Sequence, residues 1–303
     1  MRIDGATEWL RSVFDGSSRF EVEVHRERVW GDIWKVTVDD GLHWFKAGHQ
    51  ALRREVRLRR LLEDLAPEHV LPLVASDEAT GWMVTRDQGP TLAARAREEG
   101  PHHYVELAAT MGRLQRSVGA AALEPLELPT FRAEAAAGNL EDVLRWFAAL
   151  PTDHPCHASS VEVRKSVGAM EAVAARWREV RPDVPELSVE HNDLHAGNAY
   201  PGPRISDWGD AVVGHPFCSM RPLVVIAERT FGPELAAAVR RAYLAQWGDP
   251  DSLQESLDVA LRLAVPQRLL AWRQLDEPAL VAEYGQYIRP LWEEIGSETV
   301  SQH

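Results

Sequence analysis

Cysteine is nearly absent from this chain. Cys156 and Cys218 are the two among 303 residues, so no disulfide framework can brace it. No apolar run approaches the ~20 residues of a membrane span, which argues against a membrane partner. Basic residues are in deficit: 33 Lys and Arg stand against 46 Asp and Glu, a net charge of −13. That balance argues against a nucleic-acid backbone as partner, and it permits a cationic one. Internal repeats and low-complexity linkers are missing as well. The start, Met1-Arg2-Ile3-Asp4-Gly5, leads into a segment, 6–15, that charges break up, so no signal peptide is expected. With both thiols reduced, the expected location is the cytoplasm. What is present suits a folded unit. Hydrophobic residues make up 45% and charged residues 26%, enough for a core and too little charge for wholesale disorder. The length fits one large two-lobed unit or two small domains.

The densest chemistry lies in His191-Asn192-Asp193-Leu194-His195-Ala196-Gly197-Asn198, followed by Asp207-Trp208-Gly209. The pattern His-x-Asp-Leu-x-x-x-Asn and then Asp-aromatic-Gly is the catalytic and metal-binding pair of a kinase-like phosphotransferase. Asp193 can accept the proton of an attacking hydroxyl. Asn198 and Asp207 can hold Mg²⁺ on the phosphates of ATP. Residues 187–189 read as a strand entering this loop. Pro201-Gly202-Pro203 reads as the turn between two short strands, at 199–200 and 204–206. Antiparallel pairing of those strands brings their open ends together, about 5 Å apart, with Asn198 and Asp207 at that end. Asp and Asn in Gly- and Pro-rich loops ordinarily cap turns. It is the conjunction with His191, Leu194, Trp208 and Gly209 that points to chemistry. His191 and Trp208 are expected to hold the loop rather than react.

The amino-terminal third supplies a partner site. Strands are predicted over 21–29, 33–38 and 42–46, with a hairpin turn at Asp39-Asp40-Gly41. A helix follows, with Leu52, Val56, Leu58, Leu61, Leu62 and Leu65 at helical spacing, and then strands at 70–74 and 81–85. Lys46 ends the third strand and Glu55 lies on the helix. A kinase needs a lysine at the α- and β-phosphates and a carboxylate to hold it. Gly31 marks the bend of a loop over the phosphates, although no Gly-x-Gly-x-x-Gly is present. Thr85, Arg86 and Asp87 open a hinge segment, 85–92, where adenine would meet backbone groups.

These residues resemble the aminoglycoside phosphotransferase and choline kinase superfamily. The specific part is 191–209, with Lys46, Glu55, the hinge-like 83–92 and the helix at 106–118 in support. The resemblance implies an α+β, bilobal, protein-kinase-like fold. Its small antiparallel-sheet lobe with one helix, residues 1–87, would bind the nucleotide. Its larger, mainly helical lobe, 88–303, would carry catalysis and substrate. By resemblance Asp193 is the base, Asn198 and Asp207 the metal ligands, Lys46 the phosphate contact and Glu55 its partner.

Two departures stand out. Many relatives have an acidic residue in the apolar run after the metal Asp, whereas Gly214-His215-Pro216-Phe217-Cys218-Ser219-Met220 has none; Asp210 is the nearest candidate to assist. Gln115 stands where relatives often have His. Elsewhere, Asp153-His154-Pro155-Cys156-His157 fits no zinc spacing and reads as a loop. Trp30, Trp44 and Trp82, among eleven Trp, either flank the nucleotide or pack a core. Glu228, Asp276, Glu277 and Glu283 either line an amine site or form a solvated face. Further helices are predicted at 134–148, 171–179, 261–272 and 282–295, with a polar tail over 296–303 that frays. The expectation is an ATP- and Mg²⁺-dependent kinase of a small-molecule hydroxyl, such as an aminoglycoside, amino alcohol or sugar. The alternative is a nucleotide-binding pseudokinase without catalysis. A protein kinase is disfavoured, because no Ala-Pro-Glu and no activation segment follow Gly209.

Overall fold

The computed structural model describes residues 5–295; the start at 1–4 and the tail at 296–303 lie outside the described residues. The chain begins with helix α1 (Ala6–Val13) and strands β1 (Phe20–Arg26), β2 (Gly31–Val38) and β3 (Gly41–Gly48). Helix α2 (Arg54–Leu65) and strands β4 (Leu73–Asp77) and β5 (Trp82–Arg86) complete a five-stranded antiparallel sheet of order β1-β2-β3-β5-β4. The predicted run of three strands, a helix and two strands is present. Its fourth strand starts three residues late, since Pro72 has no N–H to give a ladder.

Alternation decides which side chains reach the cleft. In β3, Phe45 and Ala47 are fully buried on one face, against Leu10 of α1 and Trp34 and Trp82 of the sheet. Phe45 lies 5.1 Å from Trp34 and 5.9 Å from Trp82, centroid to centroid. Truncating it to Ala would cost about 3–5 kcal/mol. Trp44 and Lys46 necessarily occupy the opposite face.

The rest is mostly helical: α3 (Leu92–Glu99), α4 (His102–Ser117), α5 (Ala120–Leu123), α6 (Ala136–Ala148) and α7 (Ser160–Val180). Three short hairpin or bridge strands follow, β6 (Ser188–Glu190), β7 (Ala199–Tyr200) and β8 (Arg204–Ile205), and then β9 (Val212–Gly214), which pairs with β6. Helices α8 (Met220–Phe231), α9 (Pro233–Leu244), α10 (Pro250–Leu263), α11 (Val265–Leu275), α12 (Pro278–Glu283) and α13 (Gly285–Glu293) close the chain. Among the described residues, no helix is long and apolar enough to cross a membrane.

Boundaries differ from the periodicity reading for identifiable reasons. Helix α7 starts eleven residues before the predicted 171, at a capping box in which Ser159 and Glu162 bond each other's backbone N–H. The predicted 261–272 helix is broken at Ala264, with Pro266 admitted in the first turn of α11. The predicted 282–295 helix is likewise divided at Tyr284.

Helix α2 ties the sheet to the helices. Leu58 and Leu62 are fully buried in the large core shared with Leu107, Met111 and Leu114 of α4. Glu55 and Arg59, one turn apart, share another face of α2 and line the cleft beneath the sheet.

Candidate active site

A cleft of about 450 Å³ opens below the sheet, lined by Gly31, Lys46, Glu55, Thr85, Asp87, Asn198 and Asp207. Three of these meet directly. Lys46 Nζ donates to Glu55 Oε2 at 2.7 Å and to Asp207 Oδ1 at 2.5 Å. Glu55 is 2% exposed, and its other oxygen accepts the N–H of Trp208 at 3.1 Å. This one carboxylate therefore fixes both the lysine of β3 and the backbone beside Asp207. Burial opposes charge on Lys46, but the carboxylates of Asp207 and Glu55 outweigh it and raise its pKa. Lys46 in turn lowers the pKa of Asp207. The Asp207 carboxylate is 47% exposed in the cleft, so water screens part of that attraction.

The hairpin forms as the turn chemistry dictates. Ala199 pairs with Ile205 and Tyr200 with Arg204, around Gly202 at φ 77°. Asn198 O accepts from Ser206 N at 2.8 Å and Ser206 Oγ at 3.0 Å, next to Asp207. Its Nδ2 donates to Asp193 O at 3.2 Å and Asp193 Oδ2 at 3.4 Å. Asn198 thus joins the loop of Asp193 to the far side of the hairpin, and its amide oxygen is turned away from Asp193. Asp207 holds φ at 61°, a left-handed conformation that few non-glycine residues take.

Asp193 lies beneath. Its Oδ1 meets Arg268 Nη2 of α11 at 3.1 Å, and its Oδ2 lies 3.6 Å from His195 Nε2. Burial alone would raise its pKa; Arg268 first and then His195 outweigh burial and hold the carboxyl well below the usual range. Asp210 has the opposite balance: burial and the charge of Asp193 push it up to about 7.

His191 is structural. Its Nε2 donates to Ser206 O at 2.8 Å and its Nδ1 accepts from Asp193 N at 3.3 Å, which sets one neutral tautomer. Burial drives its pKa down to about 4. Trp208 is 1% exposed, 4.6 Å from the His191 ring.

The hinge residues divide. Thr85 and Asp87 face the cleft, and Asp87 Oδ1 accepts from Trp44 Nε1 at 2.6 Å. Arg86 is not brought there. Alternation turns it outward, where it donates to Asp40 O at 2.6 Å. Gly31 opens β2 opposite Gly48 and closes a turn with Arg28; a Cβ on it would stand 3.1 Å from Ala47 O. Trp30 and Trp44 line the cleft, whereas Trp82 packs in the sheet core. In the 153–157 loop, His154 bonds Pro278 O at 2.9 Å. Asp276 accepts from Trp146 Nε1 at 2.8 Å.

Sequence reasoning missed Arg268. It sits in a plain helical stretch, Val265-Pro266-Gln267-Arg268, and no motif marks it. The significance of Gln115 was also unread. It donates to Val189 O, Pro216 O and Ser219 Oγ and accepts from Tyr243 Oη, all in the interior under the loop.

Comparison with known proteins gives a consistent picture. The model of the phosphotransferase enzyme family matches residues 43–255. No curated protein sequence matches. A choline/ethanolamine kinase family protein from Mesorhizobium loti superposes with a TM-score of 0.65 at 19% identity, over 100% of this chain and 97% of that one. A type I macrolide 2′-phosphotransferase gives 0.61 at 17% identity, over 97% of each. An ADP-bound aminoglycoside phosphotransferase gives 0.63 at 14%, over 97% of this chain and 99% of the other. At such identities the likeness is one of fold.

Proposed function

The chain belongs to the phosphotransferase enzyme family, and from that we propose that it moves the γ-phosphate of ATP, with Mg²⁺, to a hydroxyl of a small molecule. A small-molecule kinase is what the family membership supports. The nucleotide, the metal and the residue roles are our reading. One observation carries it: Lys46, Glu55 and Asp207, from three separate segments, close into a single bonded group at the cleft. A turn-capping role for Asp207 would not require a buried Glu and a lysine of the sheet to converge on it.

In this reading residues 1–87 form the nucleotide-binding lobe and 88–303 the catalytic and acceptor lobe. The cleft wall at Thr85 and Asp87 would receive the adenine, with Gly31 leaving room for the phosphates. Lys46 would contact the phosphates, held by Glu55. Asn198 and Asp207 would hold Mg²⁺. The donor set suits a small hard cation, since it combines a carboxylate and an amide with phosphate oxygens to complete the shell. The ion, when bound, would neutralise charge on the transferring group.

Asp193 would bind and orient the acceptor hydroxyl. Arg268 and His195 keep it ionised, so it is ready to accept a hydrogen bond and, late in transfer, the proton. A carboxylate with so low a pKa is a weak base, and placement rather than basicity would supply the acceleration. Arg268 also bears on the acceptor. A cationic substrate would have to keep its ammonium away from the guanidinium, with only its hydroxyl beside Asp193. The decisive experiment is a screen of ADP release against aminoglycosides, macrolides, amino alcohols and sugars. Turnover with one of them, abolished by Asp193→Ala, supports the reading. Wild-type-like turnover in Asp193→Ala would refute the role of Asp193.

A further inference from the structure

Glu190 ends β6, next to His191, and is wholly buried. Its Oε2 accepts from Ser219 Oγ at 3.2 Å and from Gln267 Nε2 at 3.3 Å. Among the described residues no Lys, Arg or His forms an ion pair with it; the ionisable groups that face it are the Cys218 thiol, within hydrogen-bonding reach, and the Tyr243 phenol. Its second oxygen, Oε1, has no hydrogen-bond partner, and neither has Gln267 Oε1. Both orphans face the same spot: a Cβ built on Gly214 would lie 3.1 Å from Gln267 Oε1 and 3.2 Å from Glu190 Oε1. Two buried acceptors gathered over one glycine repel each other, and the nearby Cys218 thiol gives its single S–H to Ala260 O at 3.3 Å. An ionised carboxylate here would also be a buried charge without a counter-charge. A single proton resolves both defects, because a neutral carboxyl has an O–H to give.

We propose that Glu190 is a neutral carboxylic acid donating its O–H to Gln267 Oε1, and that this bond positions the first turn of α11 under the loop of Asp193. The link onward is continuous. Gln267 O accepts from Asn192 Nδ2 at 2.8 Å, and the next residue, Arg268, binds the Asn192 carbonyl and the Asp193 carboxylate. Asn192 holds a left-handed φ of 61°, which this bond helps to secure. Glu190 therefore acts as a positioning residue through Gln267 and Arg268, and touches no reactant. Burial raising its pKa well above the ordinary value agrees with this state.

The protonation state is tested by stability, independently of any activity. The unfolded chain loses this proton near the ordinary glutamate value, about 4.3, while the folded chain keeps it. Wild type should therefore lose stability relative to Glu190→Gln as pH rises above the ordinary glutamate value, by about tenfold in the unfolding constant for each pH unit over which the folded chain keeps its proton. A pH-independent difference would overturn the proposal. Infrared spectra give a second reading: near neutral pH, above the ordinary carboxyl range, Glu190→Gln should remove a protonated-carboxyl band that wild type shows.

The positioning role rests on the kinase reading above and is tested by turnover. Glu190→Gln keeps a neutral donor and acceptor and should retain kcat within about threefold, whereas Glu190→Leu should lose about tenfold or more in kcat with nucleotide affinity unchanged. Equal loss in both would overturn the positioning role. If no acceptor supports turnover in wild type, the stability and infrared results still decide whether Glu190 is neutral.

Discussion

Two layers of this molecule are separated by a single loop and treat charge in opposite ways. In the upper layer, at the cleft, Lys46, Asp193 and Asp207 are ionised, each with an opposite charge within 3.1 Å. In the lower layer His191, His215 and Glu190 are neutral, held so mainly by burial. The upper layer is the more open, with the Asp207 side chain 47% and the Asp193 side chain 32% exposed, so lighter burial and counter-charges both favour ionisation there. Counter-charges outweigh desolvation in the first; in the second desolvation wins, even at His191, which Asp193 and Asp207 pull the other way. Charge is retained where phosphate and hydroxyl would be handled. Neutral groups are used where the backbone must be held in one geometry. Asp193 and His191, two residues apart, lie on either side of that divide.

The sharpest test of the upper layer is Asp193→Ala. Turnover should fall by about 10²–10⁴-fold while nucleotide still binds, as an ADP-release assay and calorimetry would measure. Next is Asp207→Ala, for which Mg²⁺-dependent ATP affinity should weaken on the order of 100-fold. Unchanged affinity by calorimetry would remove Asp207 from the metal site. A third change crosses from function to stability. Lys46→Ala strands Glu55, 2% exposed, without its counter-charge. A loss of about 3 kcal/mol is expected in denaturant unfolding, together with weaker phosphate binding. No loss would mean that the cleft ion pair is not coupled to the fold.

The smallest effect probes the lower layer. Burial holds His191 near 4 and His215 near 3, below the ordinary 6.5. The unfolded chain takes up these protons first as pH falls, so their contribution is complete above about 6.5 and is lost on acidification toward 4. Each contributes a slope of about 1.4 kcal/mol per pH unit in that window. Asn at 215 can replace the ring acceptor used by Phe217 N. His215→Asn should flatten the slope by one proton, as melts between about pH 4.5 and 6.5 would read. An unaltered slope would show His215 to be charged in the fold, and the contrast between the layers would fail.

The legible parts of the chain share a physical character. β3 was readable because Leu42 to Lys46 alternates between a buried and a cleft face, and that same alternation delivers Lys46. The hairpin after Asn198 was readable because Pro-Gly-Pro leaves the backbone few options, and pairing then brings Asn198 and Asp207 together. Local rules of this kind act over a few residues and need nothing from the rest of the chain. The start of α7 was equally local, but its capping box was overlooked.

The sequence by itself determined which oxygens and which lysine are available, and their order along two short segments. It did not determine that Arg268, in an unmarked helix 75 residues beyond Asp193, would neutralise that carboxylate, or that Glu190 would form no ion pair among the described residues. Nor did it turn Arg86 away from the cleft and Thr85 toward it until β5 had been paired on both sides. Those outcomes depend on long-range packing. The ionisation of a buried group is set by which charges tertiary structure places within a few ångströms, and no spacing along the chain encodes that distance.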